Sequence, residues 1–440
     1  MKKNTYHLIT IGCQMNKADS ERVASFLEER AFVLLPSFEE AELVIFTTCG
    51  IRQSAEDRVY GLVNQVRKAN PEALIIITGC LAKRKDVMRR LKGRANLFMP
   101  INELPNLFEL LNNSQLEKKL DLEEERITDG EKYLSIQAKH HSPFTAFVPV
   151  GNGCNNFCSY CVVPYARGRE VYRSQKEILA EVEDLLAAGY KEIVLIAQNV
   201  NSYQDGEKTF PDLLKKILAL PHDFWVRFSS SHPKDLSDEL IALFAEPKMC
   251  PHLHLAMQSG DNEILFRMNR KYTIEHFSEL IKKARLVRPE ITVTTDVIVG
   301  FPGETEEQFE NTIKAFKELE FDLAYVSQYS PRPGTVSAKM TDDVSRKEKI
   351  RRDKELNKIL EESGLKKNQK YLNQEVIVLV DSKNKKGKYY GKTAGFKNVW
   401  LSVPENISAD SLIGHFVKAK IIGVSYSGLE GELAAEKYVS

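Results

Sequence analysis

The 440-residue sequence has few cysteines and no long apolar run. Seven cysteines in a chain of this length do not make the disulfide framework of a small secreted protein, and they point instead to metal or redox chemistry. No apolar stretch reaches the roughly 18 residues that a membrane-spanning helix needs, and the N-terminal stretch lacks the apolar core of a signal peptide. We therefore expect a protein of the reducing cytoplasm that makes no contact with a membrane.

The sequence also lacks a net charge of either sign, internal repeats and low-complexity tracts. Its formal net charge is +1, and its 42% hydrophobic and 28% charged residues are typical of a globular protein, here of about three domains. The balanced total conceals a basic C-terminal end. Residues 366–440 carry 12 lysines against 7 acidic residues, and residues 346–354 carry six basic residues against two acidic ones. Such a region favours a polyanionic partner, although a charge run is usually only a solvated helix face.

Three of the seven cysteines lie within eight residues, in the stretch "GCNNFCSYC". Cys154, Cys158 and Cys161 have the spacing C-x₃-C-x₂-C, and cysteine thiolates are the usual protein ligands of iron–sulfur clusters. Three ligands leave the fourth iron of a cubane cluster open for a substrate or cofactor. The alternative is a structural zinc loop, but zinc takes four ligands, and no neighbouring Cys or His completes the set.

Three further cysteines each end an apolar strand pattern in the first hundred residues. They are Cys13, Cys49 and Cys80. Helix patterns separate the strands, which predicts a parallel sheet covered on both faces. The carboxyl ends of such strands share one ligand-binding edge, so we expect the three cysteines to meet there as a second metal site. The alternative is that all three are small buried apolar residues, which is the role we expect for the seventh cysteine, Cys250.

The rest of the chain predicts two more folded units. Six strand–helix patterns from about residue 144 to residue 330 indicate a partial barrel with its chemistry at the strand C-terminal ends, and short β patterns close the chain. The predicted fold class is α/β. The predicted divisions are an N-terminal parallel-sheet domain at 1–114, a linker at 115–142, a partial (βα)₆ barrel with a C-terminal helix at 143–366, and a small β-barrel at 367–440.

These features together resemble the radical S-adenosylmethionine methylthiotransferase family. The three clustered cysteines match the radical S-adenosylmethionine signature, and "TDVIVGFPGE" is similar to a segment of that superfamily. The strings "GCQMNKADSERV", "TTC" and "TGC" resemble the methylthiotransferase domain, and the C-terminal segment resembles the RNA-binding TRAM barrel. The strings "CVVPYARGRE", "QNVNSY" and "YSPRPGT" are most similar to the branch that modifies isopentenyl-adenosine in tRNA.

The resemblance implies a complete reaction with its cofactors and partners. Two [4Fe-4S] clusters are expected, the one on Cys154, Cys158 and Cys161 binding S-adenosyl-L-methionine. Cleavage of that cofactor would give a 5′-deoxyadenosyl radical, which would remove hydrogen from carbon 2 of isopentenyl-adenosine at tRNA position 37. The cluster on Cys13, Cys49 and Cys80 would supply the sulfur, methylated by a second S-adenosylmethionine. The expected partners of this monomer are the tRNA anticodon loop, an electron donor such as a flavodoxin or ferredoxin, and a sulfur or cluster-assembly donor.

The resemblance also suggests six residues that contact S-adenosylmethionine. Tyr160 precedes the third cysteine, where the superfamily contacts adenine, and Ile298 lies on a strand that resembles the adenine-stacking segment. Four more fall at or near predicted strand C-terminal ends, namely Gln198, Ser229, Gln258 and Asp296. Each could equally serve in barrel packing or strand-end capping.

Departures from the family pattern keep other functions open. The strings "TTCGIR", "LAMQSG" and "IAQN" stand where the branch usually has other residues. Alternative substrates are therefore threonylcarbamoyl-adenosine in tRNA and an aspartate of a ribosomal protein. An alternative of another class is a non-catalytic iron–sulfur protein that binds RNA and acts as a sensor.

Overall fold

A computed structural model describes residues 4–114, 130–385, 387–403 and 412–434 of the chain. The N-terminal strands are β1 (Thr5–Thr10), β2 (Val33–Leu34), β3 (Leu43–Thr48), β4 (Leu74–Gly79) and β5 (Leu97–Phe98). The helices are α1 (Gln14–Glu28), α2 (Gln53–Ala69), α3 (Lys85–Arg90) and α4 (Leu107–Ser114). The strands form one parallel sheet in the order β2-β1-β3-β4-β5, as predicted. Helices cover both of its faces, and β3 is accordingly buried along its whole length.

The three N-terminal cysteines lie at the predicted edge of this sheet. Cys49 and Cys80 follow β3 and β4 directly. The expectation that the first strand ends on Cys13 is wrong by three residues, because β1 stops at Thr10 and the chain turns at Gly12, whose φ is +144°. Cys13 instead occupies the N-cap position of α1.

The central unit is a partial barrel of six parallel strands. They are β6 (Thr145–Pro149), β9 (Glu192–Ile196), β12 (Trp225–Phe228), β13 (His252–His254), β14 (Thr292–Val299) and β15 (Leu323–Gln328). Four short strands lie outside the barrel wall, β7 (Gly151–Asn152), β8 (Val171–Tyr172), β10 (Gln204–Asp205) and β11 (Lys208–Thr209). Two sheets, β6-β9-β12 and β13-β14-β15, are joined through single residue pairs such as Ser231–Leu255. The structure therefore has the predicted six strand–helix units, with the largest apolar core between the strands and their helices.

Most helices of the central unit begin where the sequence places capping residues. Ser174 and Glu177 form a capping box at one helix start, and Thr305 and Gln308 form another. Following the short α5 (Gly130–Leu134), these helices are α6 (Val163–Arg167), α7 (Gln175–Ala187), α8 (Phe210–Leu218), α9 (Asp238–Ala242), α10 (Asn262–Arg267), α11 (Ile274–Val287), α12 (Glu306–Leu319) and α13 (Arg346–Asn368).

Helix α13 contains the basic run 346–354, and three of its cations are engaged in ion pairs. The pairs are Lys349–Asp342 at 2.6 Å, Arg351–Glu306 at 2.5 Å and Arg352–Glu304 at 2.8 Å. The run therefore serves partly to fasten α13 to the barrel. No helix within the described ranges is both long and apolar enough to cross a bilayer.

The C-terminal unit is a closed five-stranded barrel. Its strands are β16 (Glu375–Lys383), β17 (Tyr389–Thr393), β18 (Asn398–Ser402), β19 (Phe416–Ser425) and β20 (Gly428–Leu433), in the closed order β16-β17-β18-β20-β19. The β17–β18 turn packs onto the central unit, where the ring of Phe396 stacks on His252 at 4.4 Å between centroids. Lys397 pairs with the buried carboxylate of Asp322 at 2.7 Å. The small barrel is thus firmly docked on the partial barrel.

The predicted linker is only partly covered, since residues 115–129 lie outside the described ranges. The part from residue 130 onward packs on the N-terminal domain. The Tyr133 hydroxyl donates to the Asp19 carboxylate, and His140 lies 3.0 Å from Glu21. This segment therefore contributes to the contact between the N-terminal and central units.

Candidate functional site

The clustered cysteines lie in a tight loop between β7 and α6. Gly153 opens the loop with φ +87°, and a Cβ there would lie 2.1 Å from the Arg169 carbonyl oxygen, so only glycine fits. The Gly153 N–H donates to the side-chain oxygen of Gln198 at 2.6 Å. Cys154 then bonds through its N–H to the Gly168 carbonyl at 3.1 Å. Gln198, one of the six proposed cofactor residues, thus contacts the loop backbone.

The thiols of this loop are withdrawn from water. Cys154 and Cys158 are buried and Cys161 is half-buried. Burial raises the pKa of Cys154 to about 11 and also raises the pKa of Cys161, to which the neighbouring thiol of Cys158 adds. Deprotonation here therefore needs a positive partner, which iron ions supply when thiolates bind them.

The three N-terminal cysteines converge because glycines let their loops touch. A Cβ on Gly12 would lie 2.7 Å from the Cβ of Cys49, and one on Gly50 would lie 3.2 Å from the Cβ of Cys80. The pKa of Cys49 is raised to about 11 by burial and then by the thiols of Cys80 and Cys13. The Ile51 N–H points at the Cys49 sulfur at 3.4 Å. The fold therefore gathers at one place two cysteines from strand ends, Cys49 and Cys80, and Cys13 from the N-cap of α1.

The two cysteine sets face each other across the contact between the N-terminal and central units. A Cβ on Gly50 would lie 3.3 Å from Val162, the residue after Cys161. Arg167 of α6 is buried at this contact, where it pairs with Asp19 of α1 at 2.5 Å and bonds Asn152 at 2.9 Å. The two sets of thiols thus lie on opposite sides of one contact between the units.

The donor sets suit iron–sulfur clusters better than single ions. Among the described residues, no three Cys, His, Asp or Glu side chains converge closely enough to hold one metal ion. A cubane cluster binds each cysteine to a different iron, so its three ligands are more widely spread than those of one ion. Buried thiols, backbone donors near sulfur and sharp glycine turns are also what such a cluster needs. The residues present therefore fit the implied group.

Four of the six proposed cofactor residues come together beside the Cys154 loop. Tyr160 and Ile298 pack into one apolar cluster with Phe301. The N–H of Gln258 donates to the carbonyl of Asp296 at 2.8 Å, and the Ile298 N–H donates back to the Gln258 carbonyl at 2.9 Å. This small ladder joins the ends of β13 and β14 next to the apolar cluster.

Asp296 and Ser229 have partners of their own. The Asp296 carboxylate lies 2.9 Å from the ring nitrogen Nε2 of His254. Ser229 donates to the side chain of Gln14 at 2.9 Å, so it touches the N-terminal domain next to Cys13. Cys250, by contrast, is only 1% exposed and lies apart from both cysteine sets, as expected for a core residue.

Sequence reasoning missed the arginines around the site. Arg167 joins the two cysteine regions, Arg332 bonds the Ile51 carbonyl at 2.8 Å beside Cys49, and Arg270 donates to the sulfur of Cys158 at 3.4 Å. Arg167 and Arg332 lie within the quoted strings "CVVPYARGRE" and "YSPRPGT", which was the available signal. The partners of these arginines are distant in sequence, so no local sequence pattern predicts the contacts.

Comparison with known proteins matches both halves of this site. Residues 148–316 match the Radical SAM superfamily, and residues 5–99 match the Uncharacterized protein family UPF0004. The radical S-adenosylmethionine methyltransferase TsrM from Kitasatospora setae, solved with cobalamin and a [4Fe-4S] cluster, has a similar fold. Its TM-score is 0.55 at 16% identity, over 77% of each chain.

Curated relatives match almost the whole chain. A protein of Caldicellulosiruptor saccharolyticus is 40% identical over 98% of this chain and 93% of its own length. One of Carboxydothermus hydrogenoformans is 38% identical over 98% of this chain and 100% of its own. Both are named tRNA-2-methylthio-N(6)-dimethylallyladenosine synthase. With such identity over nearly its full length, the chain belongs to the family of tRNA-2-methylthio-N(6)-dimethylallyladenosine synthases, within the radical S-adenosylmethionine superfamily.

Proposed function

We propose that this protein is a radical S-adenosylmethionine methylthiotransferase that inserts a methylthio group at carbon 2 of isopentenyl-adenosine at tRNA position 37. The names of the relatives, which match it over nearly its whole length, support this substrate. The observation that carries the proposal is the approach of the two cysteine sets at the contact where Gly50 meets Val162. A reaction that combines a radical with a sulfur donor needs both centres close to one substrate atom.

The superfamily implies one [4Fe-4S] cluster and S-adenosylmethionine. In the proposal Cys154, Cys158 and Cys161 hold that cluster, and Cys13, Cys49 and Cys80 hold a second one. When bound, the two clusters would supply the electron that cleaves S-adenosylmethionine to a 5′-deoxyadenosyl radical and the sulfur that is inserted.

The chain's own residues would bind the cofactor and shield the reaction. The apolar cluster of Tyr160 and Ile298 offers a surface for the adenine, and its burial excludes water from a reactive radical. Gln258 and Asp296 lie on the adjoining strand ends, while Gln198 and Ser229 hold the loops on either side. We propose all six as residues of the cofactor pocket.

Exposed aromatic side chains support an RNA substrate. Trp400 of the small barrel is 38% exposed and lies beside Tyr390, with 5.1 Å between ring centroids. Tyr325, on the last strand of the partial barrel, is 37% exposed, and the guanidinium of Arg52 lies 5.7 Å from its ring. Unstacked bases of an RNA loop stack on such aromatic and arginine side chains. In the proposal, the anticodon loop is held between the small barrel and the two cysteine sets.

The proposal includes the remaining components of the system. In the proposal the N-terminal domain ends at residue 114, the linker at residue 142 and the central domain with its C-terminal helix at residue 366. The proposal also places the protein in the cytoplasm as a monomer, with a flavodoxin or ferredoxin as electron donor and a separate sulfur or cluster-assembly donor.

The test is an anaerobic assay of the protein reconstituted with iron and sulfide. Dithionite, S-adenosylmethionine and tRNA bearing isopentenyl-adenosine are added, and digested nucleosides and 5′-deoxyadenosine are measured by mass spectrometry. We expect methylthio product from the wild type and none from Cys13→Ala or Cys154→Ala. Cys250→Ala is the matched control, because it removes a buried cysteine outside both sets, and it should keep the product.

The other outcomes separate the alternatives. Deoxyadenosine without a nucleoside product would move the proposal to threonylcarbamoyl-adenosine or the ribosomal-protein aspartate. Loaded protein that forms neither compound would contradict the enzyme and favour the iron–sulfur sensor.

A further inference from the structure

The segment that follows α10 wraps the Cys154–Cys161 loop. The Ser159 N–H donates to the Met268 carbonyl at 3.0 Å, and the side-chain amide of Asn269 donates to the Phe157 carbonyl at 2.9 Å. Asn269 and Phe157 both have positive φ, +58° and +47°, so the two segments of the chain bend sharply where they meet. These two hydrogen bonds place Arg270 beside the cysteines.

Arg270 is buried, and each of its three nitrogens has a partner. Its Nη1 lies 3.4 Å from the sulfur of Cys158, its Nη2 lies 2.8 Å from the Ala256 carbonyl oxygen, and its Nε lies 3.0 Å from the Tyr272 hydroxyl. The side chain is thus held in one position, with one N–H directed at a cysteine sulfur.

Arg270 differs from five other buried arginines in that it has no paired carboxylate among the described residues. Within the described ranges, no carboxylate lies within 4.0 Å of its guanidinium. Five buried arginines do pair with carboxylates, namely Arg84, Arg167, Arg227, Arg332 and Arg352. Arg22 has no hydrogen-bond partner in the part of the chain that the structure describes, but it lies near enough to Glu181 to lower the pKa of that carboxyl, which Arg173 lowers more. Arg270 interacts electrostatically with the phenols of Tyr272 and Tyr160 and with the thiol of Cys158, and its charge also lowers the pKa of the neighbouring His232, which burial lowers more.

A buried cation without a counter-charge is costly, so a negative group is expected at this place. The proposed cluster has that charge, because its three thiolates and four sulfides outweigh its iron charges, and reduction adds one more electron. A cation with an N–H directed at a ligand sulfur stabilises the reduced form more than the oxidised form.

We propose that Arg270 is the counter-ion of the cluster on Cys154, Cys158 and Cys161 and raises its reduction potential, which eases the electron transfer that starts the reaction. This inference depends on the cluster assignment in the proposed function. It does not depend on the identity of the RNA substrate. Arg270 would act on the cluster through the sulfur of Cys158, so it is a positioning residue and not a catalytic one.

The test is a redox titration followed by electron paramagnetic resonance, with no tRNA present. It uses a Cys13→Ala/Cys49→Ala/Cys80→Ala background, so that only the one cluster contributes to the signal. We expect Arg270→Gln to shift the midpoint potential to a lower value, and Arg270→Lys, which keeps the charge, to shift it less. The matched control is Arg285→Gln, which removes an arginine whose hydrogen bonds, among the described residues, go to the backbone carbonyls of residues 319 and 320. It should leave the potential unchanged.

Each other outcome decides the question. Equal potentials in the wild type and Arg270→Gln would overturn the proposal, as would a loss of S-adenosylmethionine affinity with no change in potential, which would make Arg270 a cofactor carboxylate ligand. If Arg270→Gln fails to hold iron while Arg270→Lys holds it at the wild-type potential, charge compensation is supported. Loss of iron from both variants would overturn it, because the charge would then not be the decisive property. A failure of the methylthio assay would leave these potentials measurable, so the two proposals can fail separately.

Discussion

The two cysteine sites of this protein are built in opposite ways. Cys154, Cys158 and Cys161 lie in one eight-residue loop, whose shape depends on Gly153 and on the segment around Asn269. The N-terminal site has no such loop: Cys49 and Cys80 follow β3 and β4, and Cys13 caps α1 three residues after β1. They meet only because β1, β3 and β4 are neighbours in the sheet. A local site survives as long as its own loop is intact, whereas a site assembled by the fold depends on the packing of a whole domain.

The largest effect should come from breaking the buried contact between the two regions. Arg167→Met would leave the Asp19 carboxylate, which is fully buried, without its cation, and we expect the free energy of unfolding to fall by about 3–5 kcal/mol. Urea unfolding of the metal-free protein measures this. Lys283→Met, which removes an exposed pair with Asp238, is the control and should change little. If both variants lose the same stability, the Arg167 pair does not join the two regions.

Two glycine substitutions should sharpen the comparison by disabling one site each. Gly12→Ala would push a Cβ against Cys49, and Gly153→Ala would push one against the Arg169 carbonyl, each at positive φ and at a cost of about 1–3 kcal/mol. We expect each variant to bind about half of the wild-type iron, with only the other cluster retained, as measured by iron analysis and Mössbauer spectroscopy.

A control for this pair is Gly61→Ala, in the middle of α2 with open space around it. It should raise stability by about 0.5–1 kcal/mol and leave the iron content unchanged. Loss of all iron from Gly12→Ala would mean that the two sites do not fold independently.

Acid should weaken the central unit through His232. Burial, and then the charges of Arg270 and Lys234, lowers the pKa of His232 to about 2, and its Nδ1 accepts the Lys234 N–H at 3.2 Å, which requires a neutral ring. Below pH 6.5 His232 becomes protonated in the unfolded chain but stays neutral in the folded chain. The free energy of unfolding therefore falls as the pH falls from 6.5 toward 2. Between pH 6.5 and pH 5 this amounts to about 2 kcal/mol. His232→Asn should flatten the pH dependence of urea unfolding over that range, and an unchanged slope would contradict the assignment.

The smallest effect concerns the linker segment that reaches the same contact. Tyr133→Phe removes the hydroxyl that donates to Asp19 but leaves the Asp19–Arg167 pair in place. We expect a loss of about 1 kcal/mol in the free energy of unfolding, well below that of Arg167→Met. A loss as large as that of Arg167→Met would show that the phenol, rather than the arginine, is the main partner of Asp19.

Several parts of the fold and site were readable from the sequence because they depend on short-range patterns. The parallel N-terminal sheet, the six strand–helix units and the closed C-terminal barrel follow from apolar periodicity and turn residues. The spacing of Cys154, Cys158 and Cys161 needs no fold at all. The position of Cys13 was misjudged by three residues, because an apolar pattern does not reveal where a strand stops pairing and a turn begins.

By itself, then, the sequence determined the order of the units, the local cysteine motif and the two cysteines that end strands, Cys49 and Cys80. The tertiary structure decided which distant groups meet them: Asp19 with Arg167, Gln14 with Ser229, and Cys158 with Arg270. These partners are separated by more than a hundred residues, so no periodicity links them. They meet because burying apolar faces fixes where the loops lie, and only then must each buried charge and thiol find a compensating group nearby.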